Sequence, residues 1–217
     1  MKNKKYANFK EESNLWKHGY RVVVGLDEAG RGPLAGPVTA VAVMVRKFPN
    51  FLIPQFPKIK DSKKLTPKQR KYCYKLLTRN EYIKWGIGIV SEKVIDKINI
   101  FEATKLAMKK AIEALGVEPE HLLIDGTFTL EDLMVSQKAI IRGDEKVFSC
   151  AAASIIAKVT RDRIMLRYAK KFPQYGFDKH KGYGTKFHFH ALKEHGPCYI
   201  HRKSFRPICG KKRSVLS

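Results

Sequence analysis

Four acidic side chains stand where short apolar runs stop. Asp27 and Glu28 close the run that begins Arg21-Val-Val-Val. Asp125 ends Leu122–Ile124 and precedes Gly126, and Asp144 follows Gly143 just after Gln137–Arg142. In open α/β sheets, ligands gather beyond strand ends. Carboxylates delivered there from three strands make an all-oxygen site, which suits a hard cation such as Mg²⁺ or Mn²⁺. Such ions clamp a scissile phosphate, activate a water and stabilise the leaving 3′-oxygen, so no Ser, Cys or His nucleophile is required. Each carboxylate also has a plainer reading. Taken alone, Asp125 before glycine reads better as a turn aspartate. Arg142-Gly-Asp-Glu145 suits a hairpin turn. Asp27 after three valines is costly to bury without a partner. Arg31 could be that partner, so residue spacing alone leaves the metal site and a structural ion pair both open.

Gly30-Arg31-Gly32 follows the first acidic pair. Glycines let the backbone approach a ligand closely. Free N–H groups beside a guanidinium form a cradle for phosphate and sugar. A tight turn between two strands would choose the same residues. Neither nucleotide-loop pattern fits: no Gly-Lys-Ser/Thr follows, and Gly36 falls one place late for G-x-G-x-x-G.

Positioning these residues requires a mixed α/β sheet flanked by helices. Strands are expected at Arg21–Asp27 and Val38–Val45, antiparallel because the loop between them is too short for a helical crossover. Further strands are read at Tyr82–Val90, His121–Asp125 and Gln137–Arg142. Pro49, Pro54 and Pro57 mark a surface loop over 46–60. Thr66 caps a helix reaching about Thr78, with Pro67 at its first position. Ser91 caps a short helix. Asn99 caps a longer one with an apolar stripe of Phe101, Leu106, Met108, Ile112 and Leu115, closed by Gly116. Phe148–Lys170 is a long helix whose Ala151–Ser154 segment is small enough for close approach to a sheet. Thr185 caps a last helix ending near Gly196. Its His188 and His190 would point to different faces, as surface histidines near phosphate or solvent. Asp162 reads as a member of an exposed ion pair near Arg161 and Arg163, and Asp61 as a loop or cap residue.

The 217 residues carry 43 Lys+Arg against 20 Asp+Glu, a formal net charge of +23. Self-repulsion of that size points to an anionic partner, with nucleic acid first in rank, although a solubility effect or a generally basic proteome would give the same surplus. The longest apolar run, Val38–Val45, is far short of the roughly 20 residues that span a bilayer. Met1–Lys10 is basic without an apolar core, so it is not a secretory signal. Cys73, Cys150, Cys198 and Cys209 form no C-x-x-C pair and read as reduced thiols of a cytoplasmic protein.

Six blocks, in order, resemble the signatures of the ribonuclease HII family: Gly25–Pro37 (GLDEAGRGPLAGP), Asp61–Leu65 (DSKKL), Leu123–Gly126 (LIDG), Ala152–Asp162 (AASIIAKVTRD), His180–Thr185 (HKGYGT) and His201–Phe205 (HRKSF). Leu26 stands where valine is common, and Arg142 where lysine is common. The resemblance implies a ribonuclease H-like fold over 21–209, between a basic, loosely held extension over 1–20 and a basic tail over 210–217. It implies endonucleolytic cleavage of the RNA strand of RNA–DNA hybrids, and of single ribonucleotides in duplex DNA. The expected ends are a 5′-phosphate and a 3′-hydroxyl, and the cofactor is Mn²⁺ or Mg²⁺. Asp27, Glu28 and Asp125 match metal-binding carboxylates, and Asp144 a fourth active-site aspartate. Gly30, Arg31 and Gly32 match the loop that reads the ribose 2′-hydroxyl, the group that separates RNA from DNA. Tyr183 matches an aromatic stacked on the deoxyribose at the junction. Ser62, Lys63 and Lys64 are expected to hold backbone phosphates. A monomer is expected, and no sliding-clamp motif is recognised. Two rivals stay open. A type 3 ribonuclease H acts mainly on longer hybrids, but carries a substrate-binding domain before its core, for which about two dozen residues are too few. A non-catalytic basic binder would not need the matching carboxylates.

Overall fold

The computed structural model describes residues 6–46, 59, 62 and 65–210. Its centre is a five-stranded sheet in the order β3-β2-β1-β4-β5. The strands are β1 (Val23–Ala29), β2 (Val38–Val45), β3 (Ile83–Val90), β4 (His121–Asp125) and β5 (Ser136–Ile140). β2 pairs antiparallel with β1 and β3, while β4 pairs parallel with β1 and β5. The short loop between β1 and β2 thus does what its length requires. Leu26 lies opposite Ile124. Asp27 and Asp125 are therefore neighbours one step further on, at the carboxyl ends of adjacent parallel strands. The expected fold class is observed.

Residues along each strand alternate between two cores. Val24, Leu26, Leu122 and Ile124 face α3 (Glu92–Leu115). Val23, Val41, Val43 and Leu123 face α5 (Phe148–Lys171) and α2 (Pro67–Thr78). Thr66 caps α2 through a full capping box with Gln69. Asn99 accepts from the backbone N–H groups of Phe101 and Glu102, a true cap inside what is one kinked helix. Ser91 makes no side-chain cap.

The stripe expected on α3 is observed at Met108 and Leu115, with Leu106 and Ile112 partly buried beside them, and is corrected at Phe101. Ala103, Thr104, Ala107, Met108, Ala111 and Leu115 are buried, while Phe101 is exposed. Further along the helix, its backbone lies against β3. A Cβ added to Gly88 would sit 1.9 Å from the Ala107 carbonyl oxygen, and one on Gly86 2.3 Å from that of Ala111. The helix backbone rests directly on two glycines, and alanines at 107 and 111 keep that approach close. On the other face, α5 comes as close as its alanines allow. A Cβ on Gly25 would lie 2.4 Å from the Ser149 hydroxyl oxygen.

The N-terminal segment is not loose where it is described. Helix α1 (Lys10–Lys17) buries Glu12 and Trp16, and the Phe9 ring stacks on Phe148 with centroids 4.3 Å apart. The aromatic residues supply the apolar contact that the surrounding charges conceal in the sequence. Glu12 accepts from both the Ser149 amide and its hydroxyl, each at 2.8 Å. Burial pushes its carboxyl up to about 7 against those bonds. The folded state therefore holds this proton more tightly than the unfolded chain does. The stabilisation is full below pH 4.5 and is lost as pH rises through about 7. Glu12→Gln keeps an acceptor for Ser149 and has no charge to bury. Its melting temperature, measured against the wild type from pH 5 to pH 9, is expected to gain ground up to about pH 7 and to level off above it. A gap that stays constant over that range would refute the assignment.

The expected loop over 46–60 falls almost wholly outside the described residues, as do Asp61, Lys63, Lys64 and all but the first residue of the tail. The four cysteines are free. Among the described residues, no helix is long and apolar enough to cross a membrane.

Candidate active site

Asp27, Asp125 and Asp144 converge, with one carboxylate oxygen of each within 4.8 Å of the others. Strand pairing delivers the first two. The third arrives through a local device: Arg142 takes a left-handed conformation at φ +57°, turning the chain after β5 into the single turn α4 (Gly143–Lys146). The Gly143 amide donates to Asp125 Oδ1 at 2.7 Å, tying that turn to the end of β4. The hairpin turn expected at Arg142–Glu145 is thus a helical turn.

Asp27 and Asp144 are both buried. Burial holds the Asp27 carboxyl well above the usual carboxylate range, and the nearby charges of Glu28, Asp125 and Asp144 push it the same way. Hydrogen bonds oppose this. The Glu28 amide donates to Asp27 Oδ1 at 2.6 Å, and the Ser154 hydroxyl bonds to the same carboxylate. Ser154 Oγ lies 2.9 Å from Ser62 Oγ. With the Ser154 proton directed to Asp27, Ser62 is the donor to Ser154. Ser62 is therefore buried beneath the carboxylates, with its hydroxyl turned inward.

Glu28 stands at the edge of this group and is not one of the three converging residues. Its Oε1 lies 3.5 Å from Arg31 Nη1. Arg31 pairs with Glu28, so the alternative of an Asp27–Arg31 ion pair is not what forms. The guanidinium remains half exposed beside the carboxylates. Gly32 opens toward Tyr183: a Cβ there would lie 3.8 Å from the tyrosine ring. That ring is 44% exposed, with Lys158 Nζ 5.7 Å from its centroid. The loop and the aromatic expected to act together are thus side by side.

Gly30 has a different reason to be glycine. At φ +102°, a Cβ would sit 2.1 Å from Arg161 Nε. Arg161 and Arg202 are fully buried behind the loop. Arg161 donates to the carbonyls of Ala35, Pro37 and Lys181. Arg202 donates to those of Gly30, Arg31 and Gly36. Six carbonyls are satisfied from the inside. Burial lowers the two guanidinium groups to about 10 and about 9, still charged at neutral pH. Sequence reading missed both. A signal for Arg161 existed: Ala153, Ala157, Arg161, Met165 and Ala169 form one buried i, i+4 stripe. An arginine on such a stripe implies backbone oxygens within reach.

Other expectations separate. His188 and His190 do face different ways, but His188 is wholly buried, a correction to its surface reading. His190 stays outside, 3.2 Å from Glu194. Asp162 pairs with Lys158 at 2.8 Å and approaches Arg70 at 3.9 Å, not its sequence neighbours.

A mixed sheet of this order, with acidic residues gathered at the ends of two parallel strands, defines the ribonuclease H-like class. A family model described as Ribonuclease HII matches residues 24–208. The Ribonuclease HII of Caldicellulosiruptor saccharolyticus is 51% identical over 197 residues, 91% of this chain and 93% of that one. The ribonuclease HII solved in a PCNA complex from Archaeoglobus fulgidus superposes with a TM-score of 0.71 at 27% identity, covering 85% of this chain and 95% of its own. Ribonuclease H2 of Pyrococcus horikoshii gives 0.67 at 27%, covering 87% and 96%. The chain belongs to the ribonuclease HII family, whose members are hydrolytic endonucleases of the ribonuclease H type.

Proposed function

We propose that this protein cuts the RNA strand of RNA–DNA hybrids and single ribonucleotides embedded in duplex DNA, leaving 5′-phosphate and 3′-hydroxyl ends. The observation that carries this reading is the convergence of Asp27, Asp125 and Asp144 beside the surface formed by Gly32, Arg31 and Tyr183. The donor set is all oxygen and partly buried, and Asp27 is poorly disposed to carry its charge alone. A divalent cation fits that need, and Mn²⁺ or Mg²⁺ fits the donor chemistry. Asp27, Asp125 and Asp144 would hold it, with Glu28 at the edge. When bound, the cation supplies an activated water and neutralises charge at the scissile phosphate.

The chain's own groups do the rest. Ser154 and the Glu28 amide fix Asp27 in one orientation. The Gly143 amide fixes Asp125. Gly32 lets the backbone reach a ribose, and Arg31 offers its guanidinium there. Tyr183 gives a flat apolar face for the neighbouring deoxyribose, with Lys158 available to a phosphate. Ser62, facing inward, supports the carboxylates; the phosphate contacts proposed for this segment then fall to Lys63 and Lys64. The catalytic unit proposed is 21–209, and four free thiols suit a reducing cytoplasm.

The test is cleavage of a duplex carrying one ribonucleotide, with and without Mn²⁺. Metal-dependent products support the proposal. Cutting only of long hybrids would favour a type 3 activity, and tight binding without cutting a non-catalytic binder. In the same assay, Arg31→Ala is expected to lower kcat/KM for the single-ribonucleotide duplex by about tenfold to a hundredfold, the loss of one charge-assisted contact. An unchanged value would remove Arg31 from ribose recognition.

A further inference from the structure

Three chain segments meet behind the recognition surface. One is the glycine loop, continuing to Pro37. The second is the Lys181–Thr185 segment that carries Tyr183. The third is Cys198–Arg202. Backbone bonds stitch them: Leu34 N–H donates to Gly182 O at 2.8 Å, Arg202 N–H to Leu34 O at 2.9 Å, and Gly36 N–H to Ile200 O at 2.8 Å. Two buried histidines close the circuit. His188 Nδ1 lies 2.9 Å from Tyr183 O, and His188 Nε2 lies 3.0 Å from His201 Nε2.

The tautomers follow by elimination. A carbonyl only accepts, so His188 carries its proton on Nδ1. Burial holds both histidines down at about 4, so each is neutral. His188 Nε2 is then a bare acceptor, and His201 must donate from Nε2. That leaves His201 Nδ1 bare, and the Cys198 amide donates to it at 2.9 Å. Cys198 O, 3.2 Å from the same nitrogen, is a neighbour without a proton between them. His180 stacks on His188, and Tyr175 and Phe177 pack on His201. One arrangement of protons satisfies the whole path from Cys198 through His201 and His188 to Tyr183.

We propose that His188 and His201 are positioning residues for ribonucleotide recognition. Their one shared proton ties the segment bearing Tyr183 to the segment bearing Arg202, whose guanidinium grips the carbonyls of Gly30, Arg31 and Gly36. The pair thereby fixes the aromatic face and the glycine loop at one mutual distance. Neither histidine touches substrate. The inference rests on the function proposed above, because a spacing between two recognition elements matters only if both grip the same nucleic acid. Displacement of about 1 Å at such a surface is enough to cost a large factor in rate.

The experiment compares wild type, His201→Phe and His201→Gln on the single-ribonucleotide duplex, with Mn²⁺ affinity measured separately by calorimetry. Phenylalanine keeps the ring and its packing but removes the donor. Glutamine restores an N–H at the reach of Nε2. Expected is a fall in kcat/KM of about tenfold for His201→Phe, recovery of most of that by His201→Gln, and Mn²⁺ affinity alike in all three, since the carboxylates sit on other elements. Nitrogen-15 NMR of the unmodified protein is expected to show His188 protonated at Nδ1 and His201 at Nε2, which tests the relay even if a variant folds poorly. Wild-type rates in His201→Phe, equal losses in both variants, a parallel loss of Mn²⁺ binding, or the opposite tautomers would each overturn the inference. A wild type that cuts, beside a His201→Phe protein that cuts equally well, removes this inference alone. A wild type that leaves the duplex intact removes the functional reading and this one with it.

Discussion

Asp27→Asn is expected to lower cleavage by about a thousandfold, comparable to removing one well-placed electrostatic group from other active sites, while raising the stability of the metal-free protein. The two effects share one cause. Asp27 is buried among Glu28, Asp125 and Asp144, and its carboxyl is held well above the usual range. The folded state thus prefers the protonated acid. Its contribution to stability is full below the unfolded carboxylate pKa and is lost as pH rises through the higher folded value. The metal-free fold therefore disfavours an ionised carboxylate at this position. Asparagine keeps an oxygen to accept from the Glu28 amide and drops the charge. Thermal unfolding with and without Mn²⁺ separates these contributions. A site filled at a hundred times its Kd stabilises the wild type by about 2.7 kcal/mol, and the variant is expected to lose most of that gain. Wild-type cleavage by Asp27→Asn, or undiminished Mn²⁺ stabilisation, would take Asp27 out of the metal site.

Arg202→Leu is expected to cost about 3 kcal/mol or more in unfolding free energy and to abolish most cleavage. Its fully buried guanidinium satisfies the carbonyls of Gly30, Arg31 and Gly36. Hydrogen bonds from a charged donor contribute about 1.5–3 kcal/mol each in net terms, and the stranded oxygens add a desolvation cost. Arg202→Lys is no rescue, because an ammonium cannot span three carbonyls in the fixed fork of a guanidinium. Denaturant unfolding of both variants checks this. A change below about 1 kcal/mol for Arg202→Leu would mean that the loop holds itself without the brace.

The sequence was most legible where local chemistry settles the matter. Val38–Val45 is a strand with the bounds expected of it, and the Thr66 and Asn99 caps form as their side chains dictate. The order of elements around the acidic residues was legible for the same reason. Their convergence was not. Residue types allowed an Asp27–Arg31 pair as readily as a metal site, and only the parallel register of β1 and β4 brings Asp27 beside Asp125. Side chains answering to distant partners were the least legible. Phe101 looked like core, but it lies exposed with its ring edge-on to Phe128. His188 looked like surface, and its bonding partner lies thirteen residues on, across a turn. Arg161 and Arg202 looked like part of a large basic surplus, yet they are interior struts.

Roughly a hundred residues of chain separate Asp27 from Asp125, and joining such distant points carries an entropic cost that only a completed sheet offsets. If these carboxylates form the metal site proposed above, catalytic competence is a late property of this molecule. A polypeptide still leaving the ribosome, or a fragment ending before α4, would lack one of the proposed donors and is expected to cut nothing. Two halves divided between β2 and α2 would each be inert, and the return of cutting on mixing them would signal that they had found one another.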